Sequence, residues 1–167
     1  ADATVVARAL CNDVASEAAV VAVDDGIAPP LDAAHGVSLP AEPGAVTRAR
    51  SMTPDLLLLD PLLPDELPAL VLDASATAHA TVAVAVARSP ELALPRLGLL
   101  TAAGLGASTE VGEQMLRGFF DLAVHVARAS DGTIFCQSED AAAGRSPRPR
   151  RERRRIGGSR ARRRPVG

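Results

Sequence analysis

The stretch VAVDDGIAPPLDAAHGVSLPAEPGAVTRA (residues 21–49) carries most of the information on the fold. An apolar run ends in the acidic turn Asp-Asp-Gly (24–26). Asp-Gly after such a run is typical of a hairpin, because glycine tolerates the positive φ that hairpin turns need. We therefore expect a strand over 19–23 and a returning strand over 27–34, then a Pro-rich hinge. None of these residues is an obvious catalytic group.

The rest of the chain alternates apolar runs with proline-rich connections. Apolar residues at helical spacing predict helices over 3–18 and 109–129. On the first helix, Val6, Leu10 and Val14 form the apolar stripe, with Arg8, Asn12 and Asp13 between them. A shorter helix is expected over 45–51. The further predicted strands are 56–59, 81–87 and 97–101, and the predicted loops are 60–68 and 89–96.

Charge divides the chain into two regions. Residues 145–167 hold eleven arginines and one acid, whereas residues 1–144 hold seven arginines and nineteen acids. The C-terminal region has little apolar surface to bury, so we expect a foldable domain over 1–130 and a disordered Arg-rich tail over 131–167. Arginines can neutralise phosphates without aromatic stacking, which predicts at most non-specific contact between this tail and nucleic acid.

Several function classes find no support in the sequence. We expect no signal peptide, and the longest apolar runs are too short to cross a membrane. Two cysteines without repeated spacing favour reduced thiols in a cytoplasmic protein. No zinc or nucleophile-elbow motif occurs, and Gly104 and Gly106 form only an incomplete Gly-rich phosphate loop. We therefore expect no metal site and no catalysis.

The order of elements resembles a GAF domain, of the kind found in actinobacterial sensor kinases and regulators. The matching segments are ARALCNDVASEAAVVAVDDG, LDAAHGVSLPAEPGAVTRA, PDLLLLDPLLPD, ATVAVAVA, RLGLLTAA and STEVGEQMLRGFFDLAVHVARA. The resemblance implies an α+β fold with an antiparallel sheet of about six strands. The N- and C-terminal helices would pack on one face of this sheet, and a ligand pocket would lie on the other.

The resemblance also implies a role in signal transduction. The domain would bind an unknown small molecule without catalysis, and its terminal helices would support a homodimer. Asp60, His79 and Thr81 are the expected pocket residues. The cofactor stays undetermined, although some relatives bind haem through a pocket histidine and His79 lies near that region.

A second resemblance gives an alternative. PDLLLLDPLLPDE (54–66) looks like the phosphoacceptor strand of a response-regulator receiver, and VAVDDG looks like the acidic end of that family's first strand. This interpretation implies a five-stranded parallel sheet on which Asp24, Asp25 and Asp60 cluster, with Mg²⁺ bound and Asp60 phosphorylated. The chain has no lysine, which that family uses after its last strands.

Overall fold

The structure, a computed structural model, describes residues 2–14, 17–27, 31, 36–72 and 79–140. Five helices, one 3₁₀ turn (Pro64–Glu66) and six strands form in this part of the chain. The helices are α1 (Asp2–Val14), α2 (Ala45–Ser51), α3 (Leu67–Leu72), α4 (Pro90–Leu105) and α5 (Thr109–Phe119). The strands are β1 (Val20–Asp24), β2 (Gly36–Pro40), β3 (Leu56–Asp60), β4 (Ala80–Ala83), β5 (Leu122–Arg128) and β6 (Ile134–Asp140).

The main sheet has four strands in the order β2-β1-β3-β4, and every neighbouring pair is parallel. β5 and β6 form a separate antiparallel pair. The predicted α+β fold with a six-stranded antiparallel GAF sheet is therefore wrong. The protein has an α/β architecture, in which parallel strands are connected through helices.

Helices cover both faces of the main sheet. Ala7 and Cys11 of α1 pack on one face, against alternate side chains of the two central strands. On the other face, the remaining side chains of these strands pack against α2, α3 and Leu116 of α5. β1 and β3 are consequently buried along their whole length. This explains why VVAVD and LLLLD are almost continuous apolar runs, as expected for parallel strands covered on two faces.

The predicted hairpin is wrong because β1 pairs in parallel with β2, which begins only at Gly36. Gly26 does adopt a positive φ of 75°, so the Asp-Gly turn exists, but it does not reverse the chain into a neighbouring strand. Most of the predicted returning strand, residues 28–30 and 32–34, lies outside the described residues.

Three other segments differ from the prediction. Residues 90–105 form a helix rather than a loop followed by a strand. Pro90 occupies the first turn, where its missing N–H costs nothing, and Pro95 lies inside the helix. The expected irregular segment over 60–68 contains the 3₁₀ turn and the start of α3. The last helix stops at Phe119, and the alternating residues that follow form β5.

The buried face of α1 also differs from the predicted one. Ala7, Arg8 and Cys11 are buried, whereas Leu10 and Val14 of the predicted apolar stripe are each 53% exposed. No helix among the described residues is long and apolar enough to cross a membrane. The first ten residues of the predicted tail, 131–140, include β6, which pairs with β5. Residues 141–167 lie outside the described part, so the disorder of the tail beyond residue 140 stays a prediction, as does the division into two domains.

Candidate functional site

Two carboxylates meet at the carboxyl edge of the main sheet. Asp24 is the last residue of β1, Asp60 is the last residue of β3, and the two are direct partners in the register of these neighbouring strands. From β1 the chain passes first to β2 on one side and then to β3 on the other. Ligands of open α/β sheets bind at this kind of switch point, outside the carboxyl ends of the strands.

Helix α1 brings two polar side chains to the same place. Thr4 and Arg8 are four residues apart and therefore lie on one face of the helix. The Thr4 hydroxyl donates a hydrogen bond to Asp60 Oδ1 over 3.2 Å. Arg8 Nη2 donates to Asp24 Oδ2 over 2.7 Å. Thr4, Arg8, Asp24 and Asp60 together are called the carboxyl-edge centre below.

The Asp24 carboxylate is stabilised in its charged form. Burial acts to raise its pKa, but hydrogen bonds from Arg8, the Gly26 amide and Ser38, together with the charge of Arg8, outweigh burial and lower the pKa. The Gly26 amide donates to Asp24 Oδ1 over 2.8 Å. Asp24 is therefore ionised and held in position at neutral pH.

Asp60 has the opposite electrostatic setting. Burial raises its pKa, and the hydrogen bond from Thr4 and the charge of Arg8 offset this only in part, while Asp25 and Asp24 raise the pKa further. Its second oxygen, Oδ2, is buried and has no hydrogen-bond partner among the residues that the structure describes. A buried carboxylate oxygen without a partner is costly unless a cation or a donor satisfies it.

Arg8 likewise retains unused binding capacity. The residue is only 4% exposed, and its Nε and Nη1 groups are buried without an acceptor in the described part of the chain. The centre thus presents a free carboxylate oxygen beside free guanidinium donors. A ligand that carries both a cation and anionic oxygens, such as a magnesium-bound phosphate, would satisfy both.

The residues present fit Mg²⁺ only when another group completes its shell. Among the described residues, no group of three or more histidine, cysteine, aspartate or glutamate side chains is placed to hold a metal. Mg²⁺ commonly binds through one or two carboxylates and completes its octahedral shell with phosphate oxygens and water. The carboxyl-edge centre, with Asp60 and the Thr4 hydroxyl, matches that incomplete donor set.

The structure separates the predicted pocket residues. Asp60 belongs to the carboxyl-edge centre, whereas His79 and Thr81 line a cavity of about 500 Å³ beside β4. Burial, together with the charge of Arg50, lowers the pKa of His79. Their assignment as ligand residues stays a prediction.

The receiver alternative is not supported. Asp24 and Asp60 do come together, but Asp25 is exposed and its Oδ1 accepts the Ile27 amide over 3.0 Å. Asp24 is occupied by Arg8 of a helix that precedes β1, and the parallel sheet has four strands in the described part of the chain. The three carboxylates are therefore not placed to hold a metal ion together.

Thr4 and Arg8 were missed by the sequence analysis. Arg8 was assigned to the polar side of α1, although it faces the sheet. The sequence did contain a signal for the site. The apolar runs VVAVD and LLLLD each end in aspartate, and such a run places a carboxylate at the carboxyl edge of a buried strand.

The fold and the centre thus define a three-layer α/β domain with a buried polar centre at the carboxyl ends of its strands. No protein-family profile matches the sequence, and no curated protein matches it. Among solved structures, the chain is similar to the VirB11 ATPase of the Brucella suis type IV secretion system, determined in complex with sulphate, with a TM-score of 0.71 and 23% identity.

The match covers 84% of this chain and 45% of that chain, so the protein spans less than half the length of the VirB11 structure. At this identity the similarity establishes the fold. It overturns the GAF, sensor and two-component interpretations, because the shared fold is that of part of an ATPase with a parallel sheet. The sequence predicts a module without catalytic activity. An enzyme, the VirB11 ATPase, has a similar fold.

Proposed function

We propose that this chain is a nucleotide-binding domain of the secretion-ATPase type, which holds the magnesium ion and phosphates of a nucleoside triphosphate at the carboxyl-edge centre without hydrolysing it. The observation that carries the proposal is the hydrogen bond between Thr4, in the first turn of α1, and Asp60, at the end of buried strand β3.

This pair has the composition of a nucleotide-linked magnesium site. In P-loop nucleotide hydrolases, Mg²⁺ is held by a serine or threonine at the start of a helix and by an aspartate that follows a buried strand. Thr4 and Asp60 occupy those two kinds of position here. The unpartnered Asp60 Oδ2 is available to the ion or to a water in its shell.

The phosphates have two sources of attraction in this arrangement. The first turn of an α-helix leaves backbone N–H groups without intrahelical acceptors, and such groups bind phosphate. Arg8 adds buried donors at Nε and Nη1. These groups come from α1, on the same side of the centre as Thr4.

We expect no hydrolysis of the nucleotide, because the chain lacks the lysine that P-loop hydrolases require. The P-loop lysine reaches the β- and γ-phosphates and stabilises the charge that develops during transfer. None of the 167 residues is a lysine. Arg8 does not replace it, since its Nη2 is committed to Asp24.

Isothermal titration calorimetry with ATP, with and without Mg²⁺, tests binding. We expect binding that depends on Mg²⁺ and weakens at least about tenfold in Asp60→Asn, a loss of about 1.4 kcal/mol. Asp65→Asn, which changes an exposed aspartate in the 3₁₀ turn, is the matched control and should bind like the wild type.

A phosphate-release assay on the same samples tests the second half of the proposal. We expect no release above the buffer rate for the wild type. Mg²⁺-independent ATP binding, or equal affinity in Asp60→Asn and the wild type, would refute the assignment of the site. Hydrolysis that disappears in Asp60→Asn would refute only the statement that the domain is inactive.

A further inference from the structure

The strongest feature outside the carboxyl-edge centre is an open groove along the β4 edge of the main sheet. Its cavity of about 500 Å³ is lined by β4, by one face of α1 and by alternate residues of β5. Three large apolar side chains that line the cavity are exposed to solvent: Leu10 (53%), Leu122 (58%) and Val124 (43%). Clustered exposed apolar side chains usually mark a binding surface.

The groove exposes backbone groups as well as apolar side chains. The amides of Ala80 and Val84 donate to Asp55 and Leu59 on the β3 side, and the Val84 carbonyl accepts from Leu62. Alternate residues of a parallel strand point their N–H and C=O groups to opposite neighbours. Thr81 and Ala83 therefore point these groups into the groove.

No strand among the described residues pairs with this edge, since the sheet order ends at β4. An occupant must therefore satisfy a row of backbone donors and acceptors and must also be apolar. A small apolar molecule or a helix can be apolar but cannot pair with the backbone groups of β4. An extended strand meets both requirements, as in recognition by strand addition.

The lining of the groove agrees with a strand. The wall formed by α1 carries the small side chains Ala3 and Ala7 at the cavity, which leave room for a backbone. His79, Thr81 and Asp121 are the polar side chains of the lining, so most of the surface favours an uncharged occupant.

We propose that this groove binds one extended, apolar β-strand of another polypeptide, which pairs with β4 through Thr81 and Ala83 and covers Leu10, Leu122 and Val124. The proposal is independent of nucleotide binding, because the groove lining does not include Arg8, Asp24 or Asp60. If the groove does not bind a strand, the proposal for the carboxyl-edge centre is unaffected. If the centre does not bind a nucleotide, the proposal for the groove is unaffected.

The probe is a fluorescein-labelled peptide of alternating valine and alanine with lysines at both ends. We expect its fluorescence anisotropy to rise with added protein, and hydrogen exchange of the Thr81 and Ala83 amides to slow at least tenfold in the complex. The same peptide with N-methyl groups on alternate residues should not bind, because it cannot complete the ladder.

Leu10→Arg tests the location, and Val5→Arg is its matched control. Both side chains belong to α1 and are about half exposed, but only Leu10 lines the groove. Leu10→Arg should weaken peptide binding at least tenfold, while Val5→Arg should not. Leu122→Arg is the second groove variant, should Leu10→Arg prove unfolded by circular dichroism.

Two results would overturn the proposal. One is equal binding of the peptide to the wild type and to a folded groove variant. The other is a wild-type dimer that the peptide does not dissociate and that becomes monomeric in Leu10→Arg, since the groove would then hold a second copy of this chain.

Discussion

Arg8 and Asp24 form an ion pair in the interior of the protein, with Nη2 2.7 Å from Oδ2 and side chains that are only 5% and 8% exposed. This contact joins α1 to the end of β1 and fixes the helix above the carboxyl edge of the sheet. It also places Thr4, one turn earlier, against Asp60. The geometry of the carboxyl-edge centre therefore depends on this pair.

Arg8→Met should destabilise the protein by about 3–5 kcal/mol, because it leaves the Asp24 charge buried without its partner. Urea unfolding at pH 7 measures this loss. The double variant Arg8→Met/Asp24→Leu should recover much of it, since no uncompensated charge then remains. A loss of under about 1 kcal/mol in Arg8→Met would contradict a buried pair and match an exposed one.

The stability contributed by Asp24 should disappear in acid. Its pKa is lower in the folded protein than in the unfolded chain, so the folded state binds a proton less readily. The contribution is present above the unfolded value of about 3.9 and is lost as the pH falls through the folded pKa. Asp24→Asn should therefore have a lower free energy of unfolding than the wild type at pH 7. The two free energies should converge at the lowest pH at which both proteins fold.

Asp60→Asn should stabilise the folded protein at neutral pH. Burial raises the pKa of Asp60, so its ionised form is disfavoured by folding, and asparagine removes that charge while retaining an acceptor for Thr4. The difference should shrink as the pH falls and vanish below about 3.9, where Asp60 is neutral in both states. Thermal unfolding at a series of pH values checks this, and a destabilised variant at pH 7 would contradict it.

The two cysteines should differ sharply in reactivity. Cys11 is fully buried between α1 and the sheet, and burial raises the pKa of its thiol to about 11 despite the charge of Arg8. Cys136 is exposed on β6. Because the thiolate is the reactive form, Ellman's reagent at pH 8 should label one thiol per native chain and two in guanidinium chloride. Rapid labelling of both cysteines in the native protein would contradict the burial of Cys11.

Gly112→Ala should destabilise the pairing of α4 and α5. A Cβ at Gly112 would lie 2.8 Å from the Ala102 amide nitrogen and would also collide with the Gly98 carbonyl. The helices must separate, which should cost about 1–3 kcal/mol. Gln114→Ala, at an exposed position of α5, is the control and should change stability little. Equal unfolding midpoints for both variants would disprove this close contact.

The positions of the two central strands could be predicted from the sequence, but their direction could not. The runs at 19–23 and 56–59 were located within a residue or so, since burial on two faces demands apolar side chains throughout. Their continuous apolar character is typical of parallel strands covered on two faces, but it does not by itself fix the direction of pairing. That choice depends on the connections, and the Asp-Gly turn at Gly26 predicted the wrong one.

The candidate site could be predicted only in part. Asp60 was expected at a site, and Asp24 was expected beside it in the receiver alternative. Arg8 was assigned to the exposed side of its helix, because an arginine is seldom buried without a partner. Its partner, Asp24, is 16 residues away along the chain and becomes visible only in the folded structure.

The central claim is that Thr4 and Asp60 hold the metal of a nucleotide, and Mn²⁺ is a direct probe because it replaces Mg²⁺ and gives a paramagnetic resonance signal when free. Titration of the protein and ATP with Mn²⁺ should leave less free-ion signal than ATP alone leaves at the same concentrations, because the ion bound to the phosphates also gains Asp60 as a ligand. Asp60→Asn should abolish this additional binding, and Asp65→Asn should retain it. Identical titrations of the wild type and Asp60→Asn would contradict the account.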